Sequence, residues 1–357
     1  MGEEAIRGAS FQELRPDGME VGLSGRHGGD EAPPSTGSGR TGWRADFQAA
    51  PRGAWLIFTG GRLGFTPSMN GPLQSYYRLS KPGIARMVMI TAALGYIMAS
   101  QRHFAAYWQN FLMAVAGIGM AAAGSAALNN LLERRIDARM QRTCHRELPM
   151  GRIAPVQALG YGLMMSMFGT ALVSLVSVRA AGLVLLTNFL YVLVYTPMKR
   201  VSWINTTIGA IPGALPMSIG WVAANDTIDL GAWLLFVIMF AWQHPHFYAI
   251  AWLYREDYKR GGLKMLSVTH PDGALLFIQV ILYSLMLAAV SLMPFFTGLA
   301  HRVYLVGAAL LGVYMMVYSF RFVAKPTDHN ARRLLYSSLI YLPGLLLVVI
   351  ADVLMPG

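Results

Sequence analysis

Cysteine is almost missing: Cys144 is the only one in 357 residues. No disulfide within the chain and no cysteine-based metal cluster is possible, and without a partner Cys144 reads as a spectator thiol in a loop. Charge is scarce too. Asp, Glu, Lys and Arg make up 13% of the chain against 55% hydrophobic residues. A soluble domain has about a quarter charged residues, so this scarcity excludes an ordinary soluble protein and points to a polytopic membrane protein. Acids are the rarer sign, 18 against 29 Lys and Arg, for a net charge of +11. The basic residues gather in particular loops, so membrane topology explains them and no nucleic-acid partner is expected. No apolar signal core precedes Trp55, and Glu3, Glu4, Glu13, Asp17, Glu20, Asp30 and Glu31 are too many acids for a mitochondrial transit peptide.

Residues 1–75 are rich in Gly, Pro, Ser and Arg and bury little apolar area, so a disordered cytoplasmic tail is expected. A short patch, Ala54 to Phe58, is suited to touching a membrane surface. Residues 76–357 form the transmembrane domain. Nine apolar runs of spanning length recur, at about 84–101, 107–130, 154–177, 180–197, 203–223, 230–252, 273–296, 302–323 and 335–354, each near the ~20 residues a bilayer needs. The expected fold is all-α. Alternate loops are strongly basic: Arg78 and Lys81, then Arg134 to Arg152, Lys199 and Arg200, Arg255 to Lys264, and Lys325 to Arg333. The intervening loops offer only Arg102, Arg179 and Arg302. This bias places the N-terminus and the basic loops in the cytoplasm and the C-terminus outside.

The run Asn129-Asn130-Leu131-Leu132-Glu133-Arg134-Arg135-Ile136-Asp137 ends a long apolar segment. Polar groups at that depth are costly and mark a functional site. On a helix Asn130, Glu133 and Asp137 fall within about 60° of one another. Three oxygen donors on one face suit a hard cation such as Mg²⁺, and Arg134 and Arg142 are close enough in sequence to meet the anion it carries. The plainer reading is a helix end whose charges are solvated by headgroups.

A second cluster is Trp242-Gln243-His244-Pro245-His246-Phe247 followed by Tyr254-Arg255-Glu256-Asp257-Tyr258-Lys259. His246 and Asp257 are three turns apart and share a helix face if Pro245 does not disturb the phase. His244 and His246 point to different sides and are not a pair. A hydrogen-bonded packing role is the plainer reading of either, and His145 reads as a surface residue. A third cluster is Tyr195-Thr196-Pro197-Met198-Lys199-Arg200, then Asn205 and the run Gly209, Gly213, Gly220-Trp221. The glycines read as helix-packing positions. Lys199 and Arg200 serve as topology anchors or, at the same cytoplasmic mouth, as anion binders.

At these residues the chain resembles the intramembrane prenyltransferases of the UbiA type, and within them the branch that farnesylates protohaem. The family pattern Asn-Asp-x-x-Asp-x-x-x-Asp is matched by Asn129, Asn130, Glu133 and Asp137. Met140, Arg142-Thr143, Arg146, Leu148 and Gly151-Arg152-Ile153 resemble the stretch that follows. Tyr195-Thr196 with Lys199-Arg200, Trp242-Gln243, Pro245-His246-Phe247 and Asp257-Tyr258 match others, and Leu79-Ser80-Lys81-Pro82 is similar to the lead into the first helix. The likeness covers about 76–354 and leaves residues 1–75 without a counterpart. Glu147 stands where the branch usually has Pro, and Glu133 where many members have Asp.

The resemblance implies nine helices around a cavity open to lipid, with farnesyl diphosphate and haem B as substrates and haem O as product. It assigns Mg²⁺ to Asn130, Glu133, Asp137 and Asp257. Diphosphate falls to Arg134, Arg142, Arg146, Lys199 and Arg200. Tyr195 and Lys199 join the metal ligands as catalytic residues, and His246, then His244, contact haem. A bacterial inner membrane is the implied location. Two rivals stand beside this reading: a sister enzyme prenylating a quinone precursor or chlorophyllide, and a haem or lipid transporter without catalysis. The tail is left a recruiting role, towards a haem A synthase or an oxidase assembly factor, with no segment that names one.

Overall fold

The computed structural model describes residues 71–100 and 107–354. The expectations for residues 1–70, including the patch at Ala54 to Phe58, and for Arg102 lie outside the described residues. Among the described residues there is no strand. The chain runs through α1 (Pro72–Leu79), α2 (Pro82–Ser100), α3 (Trp108–Asp137), α4 (Pro155–Ser174) and α5 (Val178–Phe189). A π-helical turn (Leu190–Tyr195) and α6 (Thr196–Met198) continue α5. Then come α7 (Asn205–Asn225), α8 (Leu230–Leu253), α9 (Arg255–Gly261) and α10 (Leu266–Thr269). The last part is α11 (Ala274–Val290), α12 (Met293–Phe296), α13 (Arg302–Ala324) and α14 (Asp328–Leu354). Among the described residues nine helical stretches are long and apolar enough to cross a membrane, and the chain is an integral membrane protein.

Small residues set the helix contacts. Where α3 meets α4, a Cβ on Gly117 would come within 2.7 Å of the Gly169 carbonyl oxygen, and one on Gly124 within 2.6 Å of that of Gly162. Where α2 meets α7, a Cβ on Gly95 would strike the Met217 carbonyl, and one on Gly220 the Ala92 carbonyl. In lipid no hydrophobic effect drives helices together, so backbone approach of this kind supplies the packing. In the glycine run of α7, Gly220 is such a backbone-packing position, while Gly209 and Gly213 make room for the side chains of Tyr195 and Gln243. Leucines and phenylalanines such as Leu163, Phe168, Leu185, Leu282 and Leu310 are exposed on the outside, where lipid is their solvent.

The second span is longer than its apolar run. The helix continues past residue 130 to Asp137, 30 residues in all, or about 45 Å at 1.5 Å per residue. That exceeds the ~30 Å hydrocarbon core, so its last turns stand at one end of the bundle. The starts of α2, α4 and α7 and the ends of α5–α6 and α8 share that end by alternation of the spans.

Candidate active site

Four polar side chains near the end of α3, Asn129, Asn130, Glu133 and Asp137, are all buried. A buried polar group without a partner is costly, and each of these has one. Asn129 accepts from Lys81 Nζ at 2.6 Å and donates to Thr196 Oγ1 at 2.9 Å. Asn130 donates to the Leu79 carbonyl at 3.0 Å. Glu133 accepts from Lys199 Nζ at 2.7 Å. Asp137 accepts from Arg146 Nη1 with both oxygens, at 3.0 and 2.9 Å. The same Nη1 lies 3.4 Å from Asn130 Oδ1. One cationic nitrogen thus occupies a point on which an amide oxygen and two carboxylate oxygens converge. A hard divalent cation seeks such oxygen donors, so Asn130, Asp137 and the neighbouring Glu133 fit one. Among the described residues no three His, Cys, Asp or Glu side chains gather as a metal site; the donor set is two carboxylates and an amide.

Arg146 reaches that point because the loop after α3 folds back. Thr143 Oγ1 donates to the Asp137 carbonyl at 2.9 Å, and the Arg146 amide to that of Thr143 at 3.0 Å. Met140 is buried against Ala251, Tyr258, Leu263 and Met265. Asp257 closes the arrangement. Its carboxylate accepts the backbone N–H of Gln141 at 2.8 Å and of Arg142 at 3.1 Å, and a bond from Arg260 at 2.7 Å. Burial opposes its charge, but these bonds outweigh it and hold the carboxyl below the usual aspartate value. Asp257 is thus engaged with the loop that carries Arg142. The sequence expectation that His246 and Asp257 share one helix face fails. Helix α8 ends at Leu253, and Tyr254 (φ −110°, ψ 23°) interrupts it before α9, so the phase is lost.

The π-turn before α6 widens the helix by one residue per turn, a feature frequent at functional sites. Tyr191 and Tyr195 follow one another there, ring centroids 5.6 Å apart, and Lys199 Nζ lies 4.5 Å from the Tyr195 ring centroid. Gly209 makes room for that ring: a Cβ would fall 2.6 Å from Tyr195 Cδ2. Loss of water opposes the charge on Lys199, but the adjacent Glu133 outweighs it and raises the lysine above its ordinary value. Its backbone is fixed as well, since the Lys199 carbonyl accepts from the Lys264 N–H at 2.8 Å, and Asn205 Nδ2 donates to the Lys264 carbonyl at 2.9 Å.

Two participants escape the sequence reading of the site. Lys81 looks like a topology residue, yet it touches Asn129 and sits between α1 and α2 at φ 47°. Burial and the neighbouring Arg146 lower its pKa to about 7, against the opposing pull of Glu133. Its signal in the sequence is the Leu-Ser-Lys-Pro stretch. Glu147 is buried and pairs with Arg152 at 2.9 Å and Arg78 at 3.6 Å. Its negative charge therefore ties the loop to the start of the bundle.

Other expected residues lie apart from the cluster. Arg134 donates to the Leu131 carbonyl of its own helix. Arg142 is exposed and lies over the Tyr254 ring, 5.1 Å from its centroid, and Arg200 is exposed. His246, partly buried, meets Ser338 Oγ of α14 through Nδ1 at 2.7 Å and stacks on Trp242. His244 is fully buried and faces α11. Its Nδ1 is 2.8 Å from the Phe240 carbonyl, and its ring lies 3.5 Å from Tyr283.

Comparison with known proteins places this architecture. Residues 88–342 match the UbiA prenyltransferase family. The protoheme IX farnesyltransferase of Solibacter usitatus (strain Ellin6076) is 40% identical over 289 residues, 77% of this chain and 98% of that one. Among solved structures, one described as digeranylgeranylglyceryl phosphate synthase superposes with a TM-score of 0.62 at 16% identity, covering 79% of this chain and 98% of its own. A UbiA homolog from Archaeoglobus fulgidus bound to GPP and Mg²⁺ gives 0.58 at 18%, covering 77% and 99%. At such identities the likeness is one of fold. With the family match spanning residues 88–342, the chain belongs to the UbiA prenyltransferase family and is an intramembrane prenyltransferase.

Proposed function

We propose that this enzyme transfers the farnesyl group of farnesyl diphosphate to a vinyl group of haem B, forming haem O. The observation that carries the chemistry is the convergence of Asn130 and Asp137 oxygens on one cationic point, beside the Glu133–Lys199 pair. The substrate assignment rests on the relative named protoheme IX farnesyltransferase, matched over nearly its full length. Both substrates are apolar with anionic heads, so they enter from the bilayer with diphosphate and propionates at the basic end. That end is cytoplasmic by the distribution of Lys and Arg, in a bacterial inner membrane.

Asn130, Glu133 and Asp137 would hold Mg²⁺, which supplies positive charge to the diphosphate oxygens. A metal-bound relative in the Archaeoglobus structure supports that choice. Arg146, whose nitrogen would give up that point to the cation, and Lys199 and Lys81 near it would take up charge as the C1–O bond breaks and pyrophosphate leaves with the electron pair. Arg142 and Arg200, both exposed, would receive the leaving group, and Arg134 stays tied to the Leu131 carbonyl of its own helix. The Tyr195 ring, already beside the Lys199 ammonium, would stabilise the allylic cation. The terminal carbon of the haem vinyl attacks C1. Water adds to the remaining vinyl carbon and loses a proton, which gives the hydroxyethylfarnesyl group. His246 contacts the haem, and Asp257 acts by holding the loop.

Mass spectrometry of haems extracted from cells with and without this protein tests the reading. Haem O present only with the protein is the expected result. Pyrophosphate release supported by an aromatic acid but not by haem would favour the sister enzymes. Haem binding without Mg²⁺-dependent pyrophosphate release would favour a carrier.

A further inference from the structure

Ser338, on α14, is not among the residues that the motifs single out, yet its hydroxyl touches the His246 ring. Its Oγ is 2.7 Å from the Leu335 carbonyl oxygen of its own helix and 2.7 Å from His246 Nδ1. A serine hydroxyl has one hydrogen, and the Leu335 carbonyl has none to give. The hydrogen goes to Leu335, so Ser338 Oγ accepts towards His246. With the hydroxyl hydrogen so placed, Nδ1 carries the proton, and in an uncharged ring Nε2 carries a bare electron pair. Trp242 completes the clamp. Its Nε1 donates to the Ser338 carbonyl at 2.8 Å, and its ring stacks on His246 at 4.8 Å and 21°. The imidazole is held at one edge and on one face.

We infer that Ser338 is the positioning residue that fixes His246 in the Nδ1–H form, so that His246 offers Nε2 to the iron of a bound haem rather than a hydrogen bond to a propionate. This rests on the haem reading above. A propionate needs a donor, and Nε2 in this form is none. An iron-ligating histidine characteristically donates its other N–H to an acceptor, and here Ser338 is that acceptor. His244 shares the tautomer, through the Phe240 carbonyl, but its Nε2 is buried with no partner and its ring is stacked against Tyr283. Of the two, His246 is the partly accessible one.

The test uses the full-length protein in proteoliposomes loaded with ferrous haem B. Resonance Raman spectroscopy reads the iron–histidine stretching band, which falls in frequency when the hydrogen bond at Nδ1 is lost. Wild type should show the band and H246A should lack it. S338A should shift it down and weaken haem affinity about ten- to a hundredfold, the usual effect of removing such a supporting bond. S338T, which keeps the hydroxyl, should restore both. No band in wild-type protein that makes haem O would overturn iron ligation. An unmoved band in S338A would overturn the role of Ser338. Failure of the same wild-type preparation to make haem O, by mass spectrometry, would instead count against the functional reading.

Discussion

Arg146 turns back nine residues to Asp137, and one of its nitrogens touches both oxygens of that carboxylate. Asp137 is 1% exposed and Arg146 26%. Removing one partner of a buried pair leaves an uncompensated charge, at a cost of about 3–5 kcal/mol. R146Q should therefore lower thermal stability in detergent markedly, and the double variant D137N/R146Q should recover most of it. Neither should recover activity, because the proposed chemistry needs both groups. A double variant as unstable as R146Q would show that the pair is not the source of the loss.

D137A should abolish haem O formation in proteoliposomes while the protein remains inserted in the membrane. A loss of at least about a hundredfold is expected of a group that stabilises developing charge in the transition state. Full activity in that variant would remove Asp137 from the metal site.

How much of this was legible in the sequence depends on how far apart the partners are. The spans among the described residues were readable because each apolar run is near the length a bilayer requires, and the acid face of α3 because polar residues interrupt such a run. Lys81 was not readable as a site residue, since its contact is with Asn129, 48 positions away. Glu147 was unexplained in sequence for the same reason: Arg78 lies in a different segment. The single-face reading of His246 and Asp257 failed because one residue, Tyr254, breaks the helix between them.

Lys81 gives a pH signature. Unfolded, a lysine stays protonated to about pH 10.4; folded, Lys81 loses its proton near 7. Across that window the unfolded chain binds the extra proton, so stability rises with pH, and the contribution is lost as pH falls through the folded value. Wild-type protein should gain thermal stability relative to K81M as pH rises from neutrality towards the lysine range. Parallel stability curves for the two proteins would refute the shift.

Glu147 should act through charge rather than shape. Its partners Arg78 and Arg152 are each 43% exposed, so water screens the pairs and E147Q should cost about 1 kcal/mol. The expected readout is a small drop in melting temperature that added salt reduces. A salt-independent drop of several kcal/mol would mean that packing dominates.

The part played by Asp257 separates two accounts of the site. If it holds the loop, as its bonds to the Gln141 and Arg142 amides indicate, then D257A should release those amides to hydrogen exchange. Arg142 would be displaced, and the KM for farnesyl diphosphate would rise. Binding of Mn²⁺, followed by its paramagnetic signal, should change far less than in D137A, because no oxygen of the converging set is removed. D257N keeps one carbonyl oxygen and so should protect the amides partly, since a single acceptor replaces two. The opposite pattern, with amides still protected in D257A and Mn²⁺ affinity lost as fully as in D137A, would make Asp257 a metal ligand and the loop bonds incidental.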